Sequence, residues 1–455
     1  MVARPFSRHF LIVVSGVLAS GLLPDTAAFT AGGHLRLAGC DVVDLVAEYG
    51  TPLYVYDEAT IRNRARAYRD GMQAAYGAES LVCYAAKAYC APWLLRVVAE
   101  EGLGLDVVSG GELFVAQASR FPVARTYFHG NNKGEDELAM ALEAGIARVV
   151  VDNLEEIERL SRLASRMGKV QPVLLRVAPG VEAHTHAHVK TGVLDTKFGV
   201  SLQTGAAEAA ALVIHEAPGL RLVGLHAHIG SQLFELEPYR QTIERVFELA
   251  ARLHAAFGFE LRELSPGGGF GMRYTVEDQP IPPEKITRAI ADGVCDAARR
   301  AGMSTQLPKV TIEPGRSIVG PAGVAVYGVG SVKKIAGVRT YVAIDGGMAD
   351  NIRPTAYGAL YSPLLANRAL DAADAVVAVA GKYCESGDVL VKQARMPMPQ
   401  VGDLVAVPGS GAYQLSMASN YNMSLRPAVV VVKDGQARLV RRRETYEDLL
   451  RPEFA

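Results

Sequence analysis

The feature that most constrains the fold is a series of eight short apolar segments between residues 80 and 320. Stretches with helical periodicity, such as Asn153–Met167, Pro238–Ala256 and Pro283–Ala301, lie between them. Strands that alternate with helices form parallel sheets, because each crossover connection needs a helix. Eight repeats predict a closed (β/α)8 barrel of the TIM type, and a doubly wound open sheet is the alternative. The predicted strands are Leu81–Ala86, Leu105–Val108, Thr126–Phe128, Ala147–Val151, Pro172–Val177, Leu222–Ile229, Leu261–Leu264 and Lys309–Ile312.

The chain beyond residue 320 has little helical periodicity and many Gly, Pro and Asp turns between apolar runs. It is expected to form a β-rich C-terminal domain, with which the early strand Leu53–Tyr56 is a candidate to pair. The predicted strands of this domain are Val324–Val332, Arg339–Ile344, Ala375–Ala380, Leu404–Val407 and Ala428–Val432. The predicted boundaries are 1–28 for an N-terminal extension, 29–57 for strands that pack with the β domain, 58–318 for the barrel and 319–455 for the β-rich domain.

Charge and cysteine content exclude several classes of partner and site. The 47 Lys and Arg residues balance 48 Asp and Glu residues, so the chain has no general attraction to nucleic acid or to an anionic membrane. The five cysteines include no CxxC pair, which argues against a zinc site or a disulfide framework and indicates a reducing compartment. His184, His186 and His188 alternate, but only Glu182 is a nearby additional ligand, so we expect no metal.

The N-terminus allows two interpretations. Arg4 and Arg8 precede the apolar run Leu11–Leu23, which resembles the core of a signal peptide. The run is too short to cross a bilayer, which needs about 20 apolar residues. Residues 1–28 are interpreted as an extension that comes from a start site set too early or has no function, with export as the alternative.

In a (β/α)8 barrel the chemistry collects where strands end and the following loops begin. Three glycines, Gly267 to Gly269, follow the seventh predicted strand, and Arg316 follows the eighth. Glycine lets backbone N–H groups approach an anion closely, and an arginine adds a charged fork. These loops are also where barrels most often bind phosphate, so we predict a phosphate site there.

Lys87 directly follows the first predicted strand, among small alanine neighbours. We expect a buried lysine with a lowered pKa that can form a Schiff base, although an ion pair with Asp106 or Glu112 is equally compatible with the sequence. A phosphate site and a reactive lysine in one barrel mouth together suggest pyridoxal phosphate. Glu313 would then face the ring nitrogen, and His228 would cover the ring.

With these residues assigned, the chain resembles the diaminopimelate decarboxylase family of fold type III pyridoxal-phosphate enzymes. The resemblance extends from about Leu22 to the end of the chain and rests on many ordered motifs. The motifs are Gly50–Tyr56, Tyr84–Ala88, His228–Gln232, Gly267–Gly269, Glu313–Arg316, Cys384–Asp388, Gly411–Tyr413 and Ser419–Asn422.

The resemblance implies a role for each matching residue. Lys87 would hold the cofactor, and Cys384 would donate a proton from the other subunit of a homodimer. The implied cofactor-binding set is Lys87, Asp106, His228, Ser231, Gly267, Gly268, Gly269, Glu313, Gly315, Arg316 and Tyr413. The implied substrate-binding set is Arg316, Arg353, Tyr357, Glu385 and Tyr413.

The resemblance further implies the decarboxylation of meso-2,6-diaminopimelate to L-lysine and CO2, the last step of a cytoplasmic lysine biosynthesis. Arg316 and Arg353 suit a substrate with a second carboxylate, which ornithine and arginine lack. A relative acting on another basic amino acid, a racemase with a similar barrel and a noncatalytic cofactor carrier are the alternatives.

Overall fold

The structure is a computed structural model that describes residues 21–77, 79–181 and 196–453. His184, His186 and His188 lie outside the described residues. Residues 1–20, which include most of the signal-like apolar run, lie outside them as well. In the part of the chain that is described, no helix combines the length and the apolar character needed to cross a bilayer.

The chain divides into two compact units. Of the described residues, the barrel unit comprises those within 62–271 and 280–317. The β unit comprises the described residues 21–61, the short segment 272–279 and residues 318–453. The segment 272–279 thus belongs to the β unit although the sequence on both sides of it belongs to the barrel.

The first part of the β unit consists of short strands and one helix. These elements are β1 (Ala28–Phe29), β2 (Leu35–Leu37), β3 (Cys40–Asp41), α1 (Val42–Tyr49) and β4 (Leu53–Asp57). Strands β1, β2 and β3 form a small antiparallel sheet. Helix α1 begins where the Asp41 carboxylate accepts a hydrogen bond from the N–H of Val43 at 2.8 Å, a typical N-cap.

The barrel unit alternates strands and helices. Its strands are β5 (Ser80–Ala85), β6 (Gly104–Val107), β7 (Thr126–Phe128), β8 (Arg148–Val151), β9 (Gln171–Ala178), β10 (Val200–Ser201), β11 (Leu220–Ala227), β12 (Glu263–Gly268) and β13 (Lys309–Glu313). The helices are α2 (Glu58–Ala75), α3 (Pro92–Glu100), α4 (Gly110–Ala118), α5 (Glu135–Ala144), α6 (Leu154–Arg166), α7 (Ala206–Glu216), α8 (Glu237–Phe257) and α9 (Pro283–Arg300).

Eight of these strands close into a parallel barrel in the order β5, β6, β7, β8, β9, β11, β12 and β13, after which β13 pairs with β5. The predicted barrel is confirmed, and the open doubly wound sheet is excluded by the β13–β5 and β8–β9 pairings. Each of the eight predicted apolar runs overlaps one barrel strand. Strand β10 adds two residues beside the end of β9.

The seventh barrel strand is longer than the sequence suggested. Strand β12 continues past Leu264, so Gly267 and Gly268 are strand residues rather than loop residues, and they pair with Ile312 and Glu313. The prediction of a loop there was wrong, because glycine can adopt the same backbone angles in a β-bulge within a strand as in a turn. Gly267 has a φ of +81°, and the register shifts between Leu264 and Gly267.

The rest of the β unit is mainly sheet. Helix α10 (Arg316–Val319) begins in the last two residues of the barrel unit, and the further elements are β14 (Gly323–Ile335), β15 (Arg339–Ile344), α11 (Arg353–Tyr357), β16 (Leu364–Leu365), β17 (Ala375–Ala380), β18 (Val389–Met396), β19 (Leu404–Pro408), β20 (Ala428–Lys433), β21 (Gln436–Arg441) and α12 (Tyr446–Leu450). The sheet order is β18, β17, β15, β14, β4, β20 and β21, with β19 pairing to β14 and β16.

Strand β4 lies between β14 and β20, and all of its residues are buried. The sequence did not predict β16, β18 and β21. Strand β21 is largely exposed, and β18 carries charged and amide side chains, so neither has the apolar run on which the prediction depended.

Candidate active site

The carboxyl ends of the barrel strands surround a cavity. Its walls come from the ends of six strands and the turns that follow them, so distant parts of the sequence meet there. The lining residues are Ala85, Lys87, Asp106, Val108, His129, Arg176, His226, His228 and Glu313. The cavity therefore brings together Lys87, Asp106, His228 and Glu313 of the predicted cofactor set.

Lys87 lies in the 3-10 turn Ala86–Ala88 that begins where β5 ends. Its side chain is exposed, so the expected burial was wrong. The turn takes Lys87 off the apolar strand, whereas both alanine neighbours remain buried. Among the described residues, no carboxylate lies within 4.0 Å of Nζ, and the ion pair with Asp106 or Glu112 is not formed. Lys87 also lines the cavity, so it is accessible to a small molecule that binds there.

The carboxylate of Glu313 in the cavity is fixed by two neighbouring side chains. His226 Nε2 lies 3.0 Å from one carboxylate oxygen, and the Ser265 hydroxyl donates to the same oxygen at 2.6 Å. Burial alone would raise the pKa of Glu313, but His226 and these hydrogen bonds bring it well below its usual value. We attribute little of this lowering to His129, because burial lowers the pKa of His129 and leaves its imidazole neutral. Glu313 is thus a fixed carboxylate.

Asp106 at the end of β6 has the opposite environment. Its side chain is only 4% exposed, and neither carboxylate oxygen accepts a hydrogen bond from the described residues. His129 Nε2 lies 3.4 Å from one of these oxygens. Burial and the nearby Glu313 carboxylate raise the pKa of Asp106 well above its ordinary value, against the opposing effect of Lys87. A buried acceptor without a donor is unfavourable unless a ligand supplies one.

His228 is a partly buried neutral imidazole. Its Nδ1 accepts a hydrogen bond from the N–H of Gly268 at 3.3 Å. Burial lowers the pKa of His228 well below its ordinary value, and the positive charges of Lys87 and Arg176 lower it further. A neutral ring held by a backbone donor is suited to stacking on a flat heterocycle.

The glycines near the cavity allow close approach of backbone segments. A Cβ at Gly268 would lie 2.0 Å from the carbonyl oxygen of Glu313, and one at Gly269 would lie 2.1 Å from that of Gly230. At Gly315 a Cβ would meet the β5 end at 2.9 Å. No side chain fits at these three positions, so the strand ends around the cavity stay lined by backbone.

Arg316 and Ser231 meet at the same end of the barrel. Arg316 Nη2 donates to the Ser231 hydroxyl at 2.9 Å, and Arg316 is buried. A hydroxyl and a guanidinium side by side are donors that suit a phosphate or a carboxylate. The structure thus brings together two predicted residues that lie far apart in the sequence.

In the β unit, the predicted residues Arg353, Tyr357 and Glu385 come from two neighbouring segments. Helix α11 carries Arg353 and Tyr357, and the Thr355 hydroxyl of the same helix donates to the carbonyl oxygen of Gly387 at 3.0 Å. Glu385 is exposed in this second segment, where it accepts a hydrogen bond from the N–H of Gly387 at 3.2 Å.

Cys384 and Tyr413 also belong to the β unit. Cys384 is exposed, and the Asn422 side chain fixes its backbone by accepting its N–H at 3.0 Å. Tyr413 has a φ of +64°, an unfavourable backbone conformation for a residue with a side chain. Such strain is typical of residues that serve a site.

Sequence reasoning assigned no role to His129, His226, Ser265 or Arg176, all of which belong to this end of the barrel. A usable signal existed for His226, because it precedes His228 by two residues and so lies on the same side of the chain. The contact of Ser265 with Glu313 joins two strands and has no local sequence signature.

Residues 58–320 match the family model for the pyridoxal binding domain of pyridoxal-dependent decarboxylases. The chain is 47% identical to diaminopimelate decarboxylase of Bacillus subtilis over 92% of its length and 95% of the relative. It is 44% identical to the enzyme of that name from Mycobacterium tuberculosis, over 95% of this chain and 98% of the relative. The chain belongs to the diaminopimelate decarboxylase family. A solved diaminopimelate decarboxylase from M. jannaschii, in complex with L-lysine, superposes with a TM-score of 0.86 at 33% identity, covering 95% of this chain and 98% of that one.

The cavity fits the cofactor of this family, pyridoxal 5′-phosphate. It offers an accessible lysine amine, a fixed carboxylate for a ring nitrogen and a neutral imidazole for a ring face. The unsatisfied oxygens of Asp106 can accept from a bound polar group. His129, His226 and Glu313 could also hold a cation, since their ligand atoms lie within 4.8 Å of one another. Glu313, however, already accepts hydrogen bonds from His226 and Ser265, an arrangement that suits a ring nitrogen.

Proposed function

We propose that this chain decarboxylates meso-2,6-diaminopimelate to L-lysine and CO2 with pyridoxal 5′-phosphate as cofactor. The observation that carries the proposal is the convergence of Lys87, His228 and Glu313 on one cavity, in a member of the diaminopimelate decarboxylase family. Related structures from M. jannaschii and Helicobacter pylori contain L-lysine, the expected product. When bound, pyridoxal phosphate supplies an electron sink for the pair that the departing carboxylate leaves behind.

The barrel residues would hold the cofactor and tune it. Lys87 would hold the cofactor through its accessible primary amine. Glu313, whose carboxylate remains ionised, would hold a proton at the ring nitrogen. His228 would cover the ring face without adding a second positive charge. Arg316 and Ser231 would donate to the phosphate together with the backbone at Gly315.

The β unit would recognise the substrate. Arg353, with Arg316 of the barrel unit, would bind the carboxylate of diaminopimelate that does not react, and Glu385 would accept from the distant amine. Tyr357 and Tyr413 would add hydroxyl hydrogen bonds, Tyr413 also to the cofactor phosphate. Ornithine carries only an amine at the end away from its reacting carbon, so it offers no second carboxylate. This set of side chains therefore favours diaminopimelate.

The proton that replaces the lost carboxylate would come from Cys384 of a second copy of the chain, in a homodimer. The proposal is supported by the exposure of Cys384 and by the hydrogen bond that fixes its backbone. Mixing Lys87→Ala and Cys384→Ala proteins tests it. Exchange would make heterodimers half of the population, each with one intact site, and restore about a quarter of wild-type activity. A mixture as inactive as its parents would refute the shared site.

We also propose that the enzyme is cytoplasmic and does not act on nucleic acid or membranes. All five cysteines are free of disulfides, which suits a reducing compartment. Fractionation of cells expressing the full chain tests this location, since recovery in an exported fraction would contradict it.

A decarboxylation assay tests the activity. The purified chain would be incubated with pyridoxal phosphate and, separately, meso-diaminopimelate, ornithine, arginine and lysine, and the products measured by mass spectrometry. We expect L-lysine from diaminopimelate alone and no product with Lys87→Ala. Lys392→Ala, at an exposed lysine on β18, is the matched control and should remain active. Turnover of another amino acid instead would keep the cofactor assignment and refute the substrate.

A further inference from the structure

Arg353 in the β unit is a buried cation without an anionic partner. Its side chain belongs to a residue only 7% exposed, and among the described residues no carboxylate lies within 4.0 Å of the guanidinium. Its Nη1 donates instead to the Tyr361 hydroxyl at 2.5 Å. Burying a charge against neutral groups alone is unfavourable, so the fold retains this arrangement at the expense of stability.

Aromatic rings keep Arg353 charged without occupying its remaining donors. The guanidinium carbon lies 4.6 Å from the centre of the Tyr274 ring and 5.7 Å from that of Tyr361. Burial would lower the pKa of Arg353, but the phenols of Tyr274, Tyr361 and Tyr413 raise it above its ordinary value. The positive charge is thus stabilised by ring faces, and the free edge of the guanidinium can bind an anion.

A chain of buried side chains extends behind Tyr361. The amide nitrogen of Gln414 donates to the Tyr361 hydroxyl at 2.9 Å, and the amide oxygen of Gln414 accepts from the Tyr54 hydroxyl at 2.8 Å. The Tyr54 hydroxyl also lies 3.1 Å from Oδ2 of Asp350. We call Tyr361, Gln414, Tyr54 and Asp350 the relay, and all four residues are buried.

The far end of the relay is fixed to the backbone. Asp350 Oδ1 accepts the N–H of Gly347 at 2.9 Å, and Oδ2 accepts the Tyr327 hydroxyl at 2.5 Å. Tyr54 lies on β4 at the centre of the sheet, and Gln414 follows Tyr413 directly. A guanidinium whose hydrogen-bond acceptor is held in this way loses little conformational freedom on binding a ligand.

We propose that the relay positions Arg353 to bind the carboxylate of diaminopimelate that does not react, which ornithine lacks, and so sets substrate specificity from residues that do not contact the substrate. The inference rests on the proposed function and adds Tyr361, Gln414 and Tyr54 to it as positioning residues. Tyr361→Phe removes the acceptor and keeps the ring, so Arg353 stays charged but is no longer held.

The test compares a ligand that has the second carboxylate with one that lacks it. For Tyr361→Phe we expect the KM for meso-diaminopimelate to rise about tenfold with kcat within about twofold of wild type. The inhibition constant of L-lysine, which keeps this carboxylate, should rise in parallel, whereas that of cadaverine, a diamine that lacks it, should stay within about twofold. Gln414→Met and Tyr54→Phe should show the same split with smaller increases, in that order, because each is one step further from the guanidinium.

Tyr76→Phe is the matched control, since it removes a hydroxyl that donates to the Pro308 carbonyl oxygen in the barrel unit. It should leave KM and both inhibition constants unchanged. Relay variants that weaken cadaverine binding as much as diaminopimelate binding, or that leave KM unchanged, would overturn the inference while the wild-type activity stands. A wild-type enzyme inactive on diaminopimelate would overturn the proposed function and this inference together. If one relay variant does not fold, either of the other two decides the result.

Discussion

The two ends of the barrel interior both contain charged residues, but the ends differ in how these charges are paired. At the amino end, Glu263 is 1% exposed, and Arg148 Nε lies 2.7 Å from its carboxylate. The hydroxyls of Tyr127 and Thr311 donate to the same carboxylate, and Lys309 Nζ lies 3.7 Å away. Every charge in this cluster has an opposite charge or a donor beside it.

At the carboxyl end, by contrast, Asp106 has no hydrogen-bond donor among the described residues and Lys87 has no carboxylate at ion-pair distance. Both ends are built from the same eight strands, so the difference is not one of architecture. Paired buried groups are expensive to break, whereas unpaired ones are available to a ligand. The comparison therefore predicts that substitutions at the amino end cost stability, whereas those at the carboxyl end mainly change activity and can even gain stability.

The largest effect is expected from Glu313→Gln at the carboxyl end. A neutral amide cannot hold a proton on the cofactor ring nitrogen, so we expect kcat/KM to fall about 1,000-fold, or about 4 kcal/mol in transition-state free energy. The free energy of unfolding should change by less than this, because the amide oxygen of Gln can still accept the hydrogen bond that Ser265 donates. Steady-state kinetics and denaturant unfolding on the same preparation measure both, and a variant that loses stability but keeps its activity would reverse the assignment of this end.

Glu263→Gln at the amino end should have the second-largest effect, and it should change the free energy of unfolding rather than catalysis. Arg148 and Lys309 would lose the carboxylate that compensates their charges, which is expected to cost about 3 kcal/mol of unfolding free energy. The activity per folded molecule should be unchanged. Glu260→Gln, at an exposed position of the same region, is the control and should lie within about 0.5 kcal/mol of wild type. Lost turnover in fully folded Glu263→Gln would contradict the separation of the two ends.

The smallest effect is a gain of stability from Asp106→Asn in the cofactor-free protein. The folded-state pKa of Asp106 is raised, so its contribution to stability is fully present below the unfolded pKa of about 3.9 and is lost as the pH rises through the folded value. The variant should therefore exceed wild type by about 1 kcal/mol near neutral pH, with the difference growing from about pH 4 upward. Thermal unfolding across this pH range measures it. A variant that is less stable than wild type at every pH would show that Asp106 is satisfied after all.

The barrel could be predicted because its information is local. A strand buried on both faces needs an apolar run, and a surface helix needs a periodic one, so each of the eight repeats carries its own signal. The exposed β21 and the polar β18 carry no such signal and were not predicted. The end of β12 was misplaced because Gly267 and Gly268 have the same composition in a bulged strand as in a loop.

The properties of the site residues likewise divide into those that the sequence predicts and those that it does not. Lys87, His228 and Glu313 could be proposed from their places at strand ends, because barrel topology alone brings such ends together. The burial and the hydrogen-bonding partners of these residues could not be predicted. Whether Lys87 is buried, whether Asp106 finds a donor and which groups fix Glu313 all depend on distances between residues far apart in the sequence.

The sequence by itself therefore determined the alternation of eight strands with helices and the side chains available at the strand ends, because periodicity and strand-end position are properties of neighbouring residues. Only the tertiary structure decided which buried charges are paired. It placed Ser265 and His226 around Glu313, left Asp106 without a donor and held Arg353 against Tyr361. Pairing is a property of contacts in space, and the free energy of a buried charge is set by those contacts.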